Sequence, residues 1–448
     1  MKSIVPNANV PGHQIVRVSL FFPNGTMRTI NDRVYGEIAI SDVASRLLSN
    51  PWLVRLDHIR QLGACSFVYP SATHTRREHS IGVYHLSGIV AEHVRTLVPS
   101  ISPEDVELVR IAGLVHDVGH GPFSHMYESF WRDRGWDWCH EHQTLDILAN
   151  DLMTELYDAR TWTHPMEENY NFLSNLITGV DNGMTGRDSS VVNALLEVVH
   201  SHAGVDSDRM DYLLRDTLCV FGSTHTVDAM RIIHSIQIVN GRIAFDHRVA
   251  LSIQQLFELR TRLHKQVYQH RDVLVVETLL KAHMDRLDPS TFDDFCSLTD
   301  AVILSGAPLT RLHAYPRMHR VHLDLLVPTS PLCVCGYEFL NESNFCPMCG
   351  SSFADSRPPP VDLTSVTATE HVRRAVNRDD VHILISDVTY GSLCDVPFHN
   401  GGTPYAVTDE GGRPLRYHLR KVYCYVEGET DGDLATRVAT ALKAHWIM

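Results

Sequence analysis

The chain has 448 residues, 44% hydrophobic and 21% charged, with a formal net charge of −14. That composition excludes a disordered chain, and the acidic balance excludes a general nucleic-acid coat, which needs basic surface to displace phosphate counterions. No apolar run reaches the about 18–20 residues of a membrane helix, and MKSIVPNANVPGHQ lacks a secretory signal's charged head and apolar core.

Residues 1–30 read as an N-terminal arm, in which FFPNGTMRT sets an Asn24-Gly25 turn between β-prone flanks. Residues 31–326 read as one helical domain. SPEDVELVRIAGLVHDVGH opens with Ser102 as N-cap, Pro103 at the first helical position and Asp105 three residues past the cap. Its pattern predicts a helix running to Gly119-His120, stopped by Gly121-Pro122. DSSVVNALLEVVH and SDRMDYLLRDTL predict two more helices. LSIQQLFELRTRLHKQVYQH predicts a long amphipathic one, with Leu256, Leu259, Leu263 and Val267 as its apolar stripe.

Composition changes near residue 327. Cys333, Cys335, Cys346 and Cys349 lie close together, and CPMCG is a zinc-knuckle half, although the first half is Cys-x-Cys. Residues 327–362 therefore read as a zinc-ribbon insertion holding a structural zinc, with SRPPPVDLT as its Pro-rich exit. The remaining cysteines are scattered, which suits a reducing, intracellular setting, cytoplasmic or nuclear. Residues 363–448 read as a small α+β lobe, with VHILISDVTYG and LRKVYCYVEG as strands and DGDLATRVATALKAHW as a closing helix. The expected fold is mostly α, a helical core with a C-terminal α+β lobe and an inserted zinc ribbon.

Chemistry concentrates in LVHDVGHGPFSH. Any one of the 28 histidines alone reads as a core or capping residue. Here, on one predicted helix face, His116 and Asp117 offer a neutral nitrogen and an anionic oxygen, with His120 one turn on. That donor pair suits a six-coordinate Mg, Mn or Fe ion. Further ligands must come from elsewhere: His79 sits in the first turn of a helix, and Asp208 begins another. Asp206, Asp208 and Asp211 repel one another unless a cation or arginines neutralise them.

The ordered motifs RLDHIRQLG, THTRREHSIGV, HDVGHGPFSHM, CHEHQT, DSDRMDYLLRD and RTRLHKQVYQH resemble those of the HD-domain dNTP triphosphohydrolases, nearest the catalytic region of the mammalian SAM- and HD-domain branch. The resemblance runs from about Ile30 to the C-terminal helix, interrupted by the cysteine insertion, and no stretch reads as a SAM domain. It implies an HD-type helical core and hydrolysis of a dNTP to deoxynucleoside and inorganic triphosphate. It further implies a divalent metal on His79, His116, Asp117 and Asp208. His125 would protonate the leaving 5′-oxygen, held by Glu128, while His120 and His140 would meet phosphate or a second cation. Arg76, Arg209 and Arg260 would grip the triphosphate, joined by Tyr212, Asp216, His264, Tyr268 and Gln269. Gln61 and Leu62 would meet the sugar and, with a tyrosine across it, leave a 2′-hydroxyl no room or partner.

Arg28 and Asn31 keep the basic and amide character of activator-binding positions. Ser49, Val54 and Asp57, however, stand where those relatives read guanine, which points to another activator or to constitutive activity. The resemblance implies a homo-oligomer, dimer or tetramer. The alternative reading is an HD phosphodiesterase or nuclease acting on nucleic acid or a signalling nucleotide. A silent nucleotide sensor is disfavoured because every ligand and proton-donor position is filled.

Overall fold

The computed structural model describes residues 28–222 and 227–307, then shorter stretches: 312, 320–323, 365–376, 381–389, 396–400, 403–405, 418–426 and scattered positions in 434–441. The Asn24-Gly25 turn, the four cysteines of the expected zinc ribbon and most of the closing helix lie outside these residues.

Strands β1 (Arg28–Asp32) and β2 (Gly36–Ile40) form an antiparallel hairpin that crosses the boundary expected at residue 30. Gly36 sits at φ 73°, where a side chain is strained, and closes the three-residue loop. Two short helices follow, α1 (Asp42–Leu47) and α2 (Pro51–Arg55), each capped by a side chain, Ser41 and Asn50.

The long helix α3 (Arg76–Leu97) starts at the Thr75 cap and packs along α4 (Pro103–Val115). On α4 the expected capping box forms: Ser102 Oγ accepts from Asp105 N, and Asp105 returns the bond to Ser102 N. The helix ends earlier than its pattern predicts, at Val115 rather than His120. Tighter bonds replace it, Val118 N to Val115 O and His120 N to Asp117 O, both 3.1 Å. The cause is a close crossing: a Cβ on Gly119 would stand 2.2 Å from His140 O.

Helices α5 (His125–Arg132), α6 (His140–Ile147), α7 (Met153–Ala159), α8 (Met166–Thr178) and α9 (Ser189–Leu195) continue the helical body. Then come α10 (Ser207–Phe221) and α11 (Ala229–His234), strands β3 (Ile236–Val239) and β4 (Arg242–Asp246), and helices α12 (Ala250–Leu263), α13 (Arg271–Met284) and α14 (Asp300–Leu304). Leu256, Leu259, Leu263 and Val267 are all buried, as their spacing predicts. The α12 spiral widens into a π-turn at His264–Tyr268, a feature frequent at functional sites.

The C-terminal third adds β5 (Arg320–Leu323), a helix at Ser365–Val376, β6 (Val381–Thr389), β7 (Phe398–Asn400), β8 (Thr403–Tyr405) and β9 (His418–Val426). Strands β5, β9 and β6 form one antiparallel sheet. Strand β7 instead pairs parallel with β4, giving a sheet of order β3-β4-β7-β8, so the expected lobe is stitched into the helical body. Among the described residues no helix is long and apolar enough to cross a membrane.

Candidate active site

Behind the floor of the site, α3 and α10 bring His79 and Asp208 together, and the end of α4 adds His116-Asp117. His79 Nε2 lies 3.1 Å from Asp208 Oδ1 and 3.6 Å from Asp117 Oδ2. His116 Nε2 lies 3.3 Å from Asp117 Oδ1 and 3.7 Å from Asp208 Oδ1. Both imidazoles are set with their other nitrogen engaged: His79 Nδ1 is 2.7 Å from Asp211 Oδ2, and His116 Nδ1 is 2.8 Å from Gly113 O. The Nδ1–H donates in each, so both Nε2 atoms are left facing the carboxylates, where a proton or a metal ion can sit between them. His116 Nε2 is buried with no hydrogen-bond partner among the described residues.

Charge in this cluster calls for a cation. Burial lowers the pKa of His79, but the hydrogen bonds to Asp208 and Asp211 outweigh burial and lift it to about 10. Burial raises the Asp117 carboxyl, yet Arg76, His116 and His120 hold it well below the usual range. The donor set of two nitrogens and two carboxylates thus fits a divalent ion. His79, His116 and Asp208 each offer a ligand atom within 4.8 Å of the others.

A second group lies beside the first. Glu128 Oε2 accepts from His140 Nδ1 at 3.0 Å but stands 3.7 Å from His125 Nδ1, beyond hydrogen-bond length. Its other oxygen accepts from Arg132 at 2.5 Å. Burial opposes ionisation of Glu128, but His125 and His140 outweigh it and keep the carboxyl far below its ordinary range. His120 stacks on His140 at 3.8 Å between centroids. Burial, with Arg76 and His140 adding, pushes His120 well below its usual pKa and keeps it neutral. The His125 ring is 71% exposed.

A cavity of about 590 Å³ opens over both groups. Every residue expected for metal, catalysis or substrate lines it, apart from His79 and Glu128, which stand just behind its wall. Gln61 Oε1 is buried with no partner among the described residues. Arg76 is already occupied: it donates to Asp117 Oδ2 at 2.6 Å and to Ser124 Oγ at 2.9 Å. Arg209 donates to Ser201 O at 2.8 Å and to Asp206. On α12, burial lowers His264 to about 3, with Arg260 and His125 adding to the shift, so it is neutral. Each of the three clustered acids therefore finds its own partner: Asp206 on Arg209, Asp211 on Arg215, and Asp208 on the two imidazoles.

Several functional neighbours were missed by sequence reasoning. His74 Nε2 is 2.7 Å from Asp216 Oδ1, while Tyr268 Oη donates to Asp216 Oδ2 at 2.5 Å. This fixes the tyrosine ring on the cavity wall. Phe123 and Ser124 both take positive φ, 57° and 58°. Asp300 accepts from Phe123 N at 2.7 Å, and Ser124 Oγ donates to Arg60 O at 2.7 Å, holding the strained turn that launches α5 and His125. A non-glycine pair in this conformation leaves no local sequence signature. At the hairpin, Arg28 and Asn31 are exposed. Asp57 pairs with Arg77 at 3.0 Å.

Fold and site together define a class: residues 76–150 match the HD domain. The particular likeness is to the HD-domain dNTP triphosphohydrolases. An HD domain-containing protein of Acanthamoeba polyphaga mimivirus is 31% identical over 60% of this chain and 61% of its own length. The deoxynucleoside triphosphate triphosphohydrolase SAMHD1 homolog of Dictyostelium discoideum is 32% identical over 54% of this chain and 46% of its own length. The Homo sapiens deoxynucleoside triphosphate triphosphohydrolase SAMHD1 is 28% identical over 71% of this chain and 54% of its own length. The chain thus spans about half to three fifths of the curated relatives it matches.

Proposed function

We propose that the chain hydrolyses a deoxynucleoside triphosphate to deoxynucleoside and inorganic triphosphate. The observation that carries the reading is the pair of imidazoles, His79 and His116, whose Nε2 atoms face Asp117 and Asp208 beneath a cavity that His125, Arg260 and Tyr268 also line. A divalent ion (Mg, Mn or Fe) held by those four residues would supply an acidified water and polarise the α-phosphate.

The chain's own groups do the rest. His125 faces the open cavity and hands a proton to the departing 5′-oxygen, with anionic Glu128 3.7 Å behind it to orient the ring. Neutral His120 hydrogen-bonds phosphate oxygens with His140 stacked beside it, while Arg209 and Arg260 oppose their charge. Tyr268, its hydroxyl spent on Asp216, presents an apolar ring with Leu62 to the sugar. Against those two apolar faces a ribose 2′-hydroxyl would be crowded and desolvated, so deoxynucleotides are selected. The four cysteines at 333–349 hold a structural zinc, apart from the reaction.

Incubation with each dNTP and with ATP, in Mg²⁺ or Mn²⁺, with and without GTP, tests the reading by chromatography. Deoxynucleoside plus triphosphate from dNTPs supports it, and equal rates on ATP and dATP contradict the selectivity. Nucleoside monophosphates would favour a phosphodiesterase or nuclease instead.

A further inference from the structure

Directly behind the candidate metal ligands lies a buried guanidinium with no task in the chemistry above. Arg215 is 0% exposed. Its Nε and Nη2 donate to the two oxygens of Asp211 at 2.9 and 3.0 Å, and Nη1 donates to Asp32 Oδ2 at 2.8 Å. Asp211 accepts from His79 Nδ1. An unbroken chain of buried partners therefore joins the β1–β2 hairpin to the ring whose Nε2 faces Asp208.

Three further observations mark this chain as built for geometry. A Cβ on Gly82 would stand 1.9 Å from Asp211 Oδ1 and 2.3 Å from Arg215 Nη2, so α3 leaves space for the pair. Asp32 is fixed on its own hairpin, Oδ1 accepting from Val34 N at 2.7 Å and Tyr35 N at 3.0 Å. Arg33 adds a second tie, pairing at 2.9 Å with Glu78, the neighbour of His79. Stability alone is a weak reason for such burial, because well-packed apolar side chains stabilise a core as well as buried ion pairs do. A metal-bound imidazole, by contrast, needs its second nitrogen held by a fixed acceptor.

We propose that Asp32 and Arg215 are positioning residues for the metal centre, locking Asp211 and through it the tautomer and ring orientation of His79. The two-pronged bond from Arg215 holds both Asp211 oxygens in one plane, and Asp32 fixes the far end of the guanidinium. The hairpin is thereby part of the centre although it contributes no ligand. This inference rests on the metal-centre reading proposed above.

Calorimetric titration of the metal-stripped full chain with Mn²⁺, an ion that four thiolates bind poorly, tests it. Asp211→Asn weakens Mn²⁺ binding about 10–100-fold, and Asp32→Asn about 3–10-fold, both with cooperative unfolding retained. Leu156→Ala, a core truncation on α7, lowers the melting temperature and leaves Mn²⁺ affinity unchanged. If Asp32→Asn does not fold, Asp32→Glu carries the test, with the same several-fold loss expected. An Asp32 variant that binds Mn²⁺ like the parent overturns the proposal while leaving the metal centre intact. A parent chain that takes up no Mn²⁺ overturns the metal-centre reading and this inference together.

Discussion

At the scale of single residues, His116 shows how the backbone sets the ring of a proposed metal ligand. Its Nδ1–H is committed to Gly113 O, so Nε2 is the nitrogen left for an ion, and it stands inside a carboxylate cluster. His116→Gln should therefore cut divalent-ion affinity by more than about 100-fold, beyond the loss seen for supporting residues. Metal analysis after gel filtration checks this, and retained metal would contradict it. His74 makes a different prediction. Burial pulls its pKa down, but the hydrogen bonds to Asp216 and Cys219 outweigh burial and lift it to about 9. Its folded pKa thus exceeds the unfolded value near ~6.5, so its contribution is full below that pH and is lost as pH rises through about 9. The amount at stake is at most about 3 kcal/mol. His74→Gln should flatten the fall in melting temperature between pH 6.5 and about 9.5, and parallel curves for parent and variant would contradict it.

At the scale of elements, starts were legible and ends were not. The capping box at Ser102–Asp105 is written within one turn of chain, so local spacing suffices to find it. Where α4 stops depends on Gly119 meeting α6, a contact that no pattern within the helix encodes. The apolar stripe of α12 was equally plain, whereas its π-turn over His264–Tyr268 was not. The turn before α5 depends on Asp300, far away in sequence, which accepts from both Phe123 N and Arg60 N. Asp300→Ala leaves two backbone donors without their acceptor and should destabilise the chain by about 1–3 kcal/mol. It should also lower kcat about tenfold or more by loosening the turn that aims His125, by the steep dependence of rate on alignment. Denaturant unfolding and steady-state kinetics measure the two effects, and an unchanged kcat would show that this turn does not aim His125.

At the scale of the whole molecule, the site gathers residues from Gln61 to Glu277 around one cavity. Sequence reasoning proposed the ligand types from local spacing and the four-residue set from family resemblance, and the fold brings those four side chains together. It missed the ties that span the fold, such as His74 to Asp216 and Asp32 to Arg215, because no periodicity links positions so far apart. It also missed β7 joining β4, since a short parallel pairing carries no local signal. Elemental analysis should find one zinc per chain that Cys346→Ser removes while dNTP hydrolysis persists, and zinc retained by that variant would contradict the site. The central claim is that the cluster of His79, His116, Asp117 and Asp208 directs water at the innermost phosphorus of a bound dNTP. Turnover in ¹⁸O-labelled water, read by mass spectrometry of both products, tests it most directly. The label should enter the inorganic triphosphate and not the deoxynucleoside. Label on the 5′-hydroxyl of the deoxynucleoside, or release of a deoxynucleoside monophosphate and pyrophosphate, would contradict it.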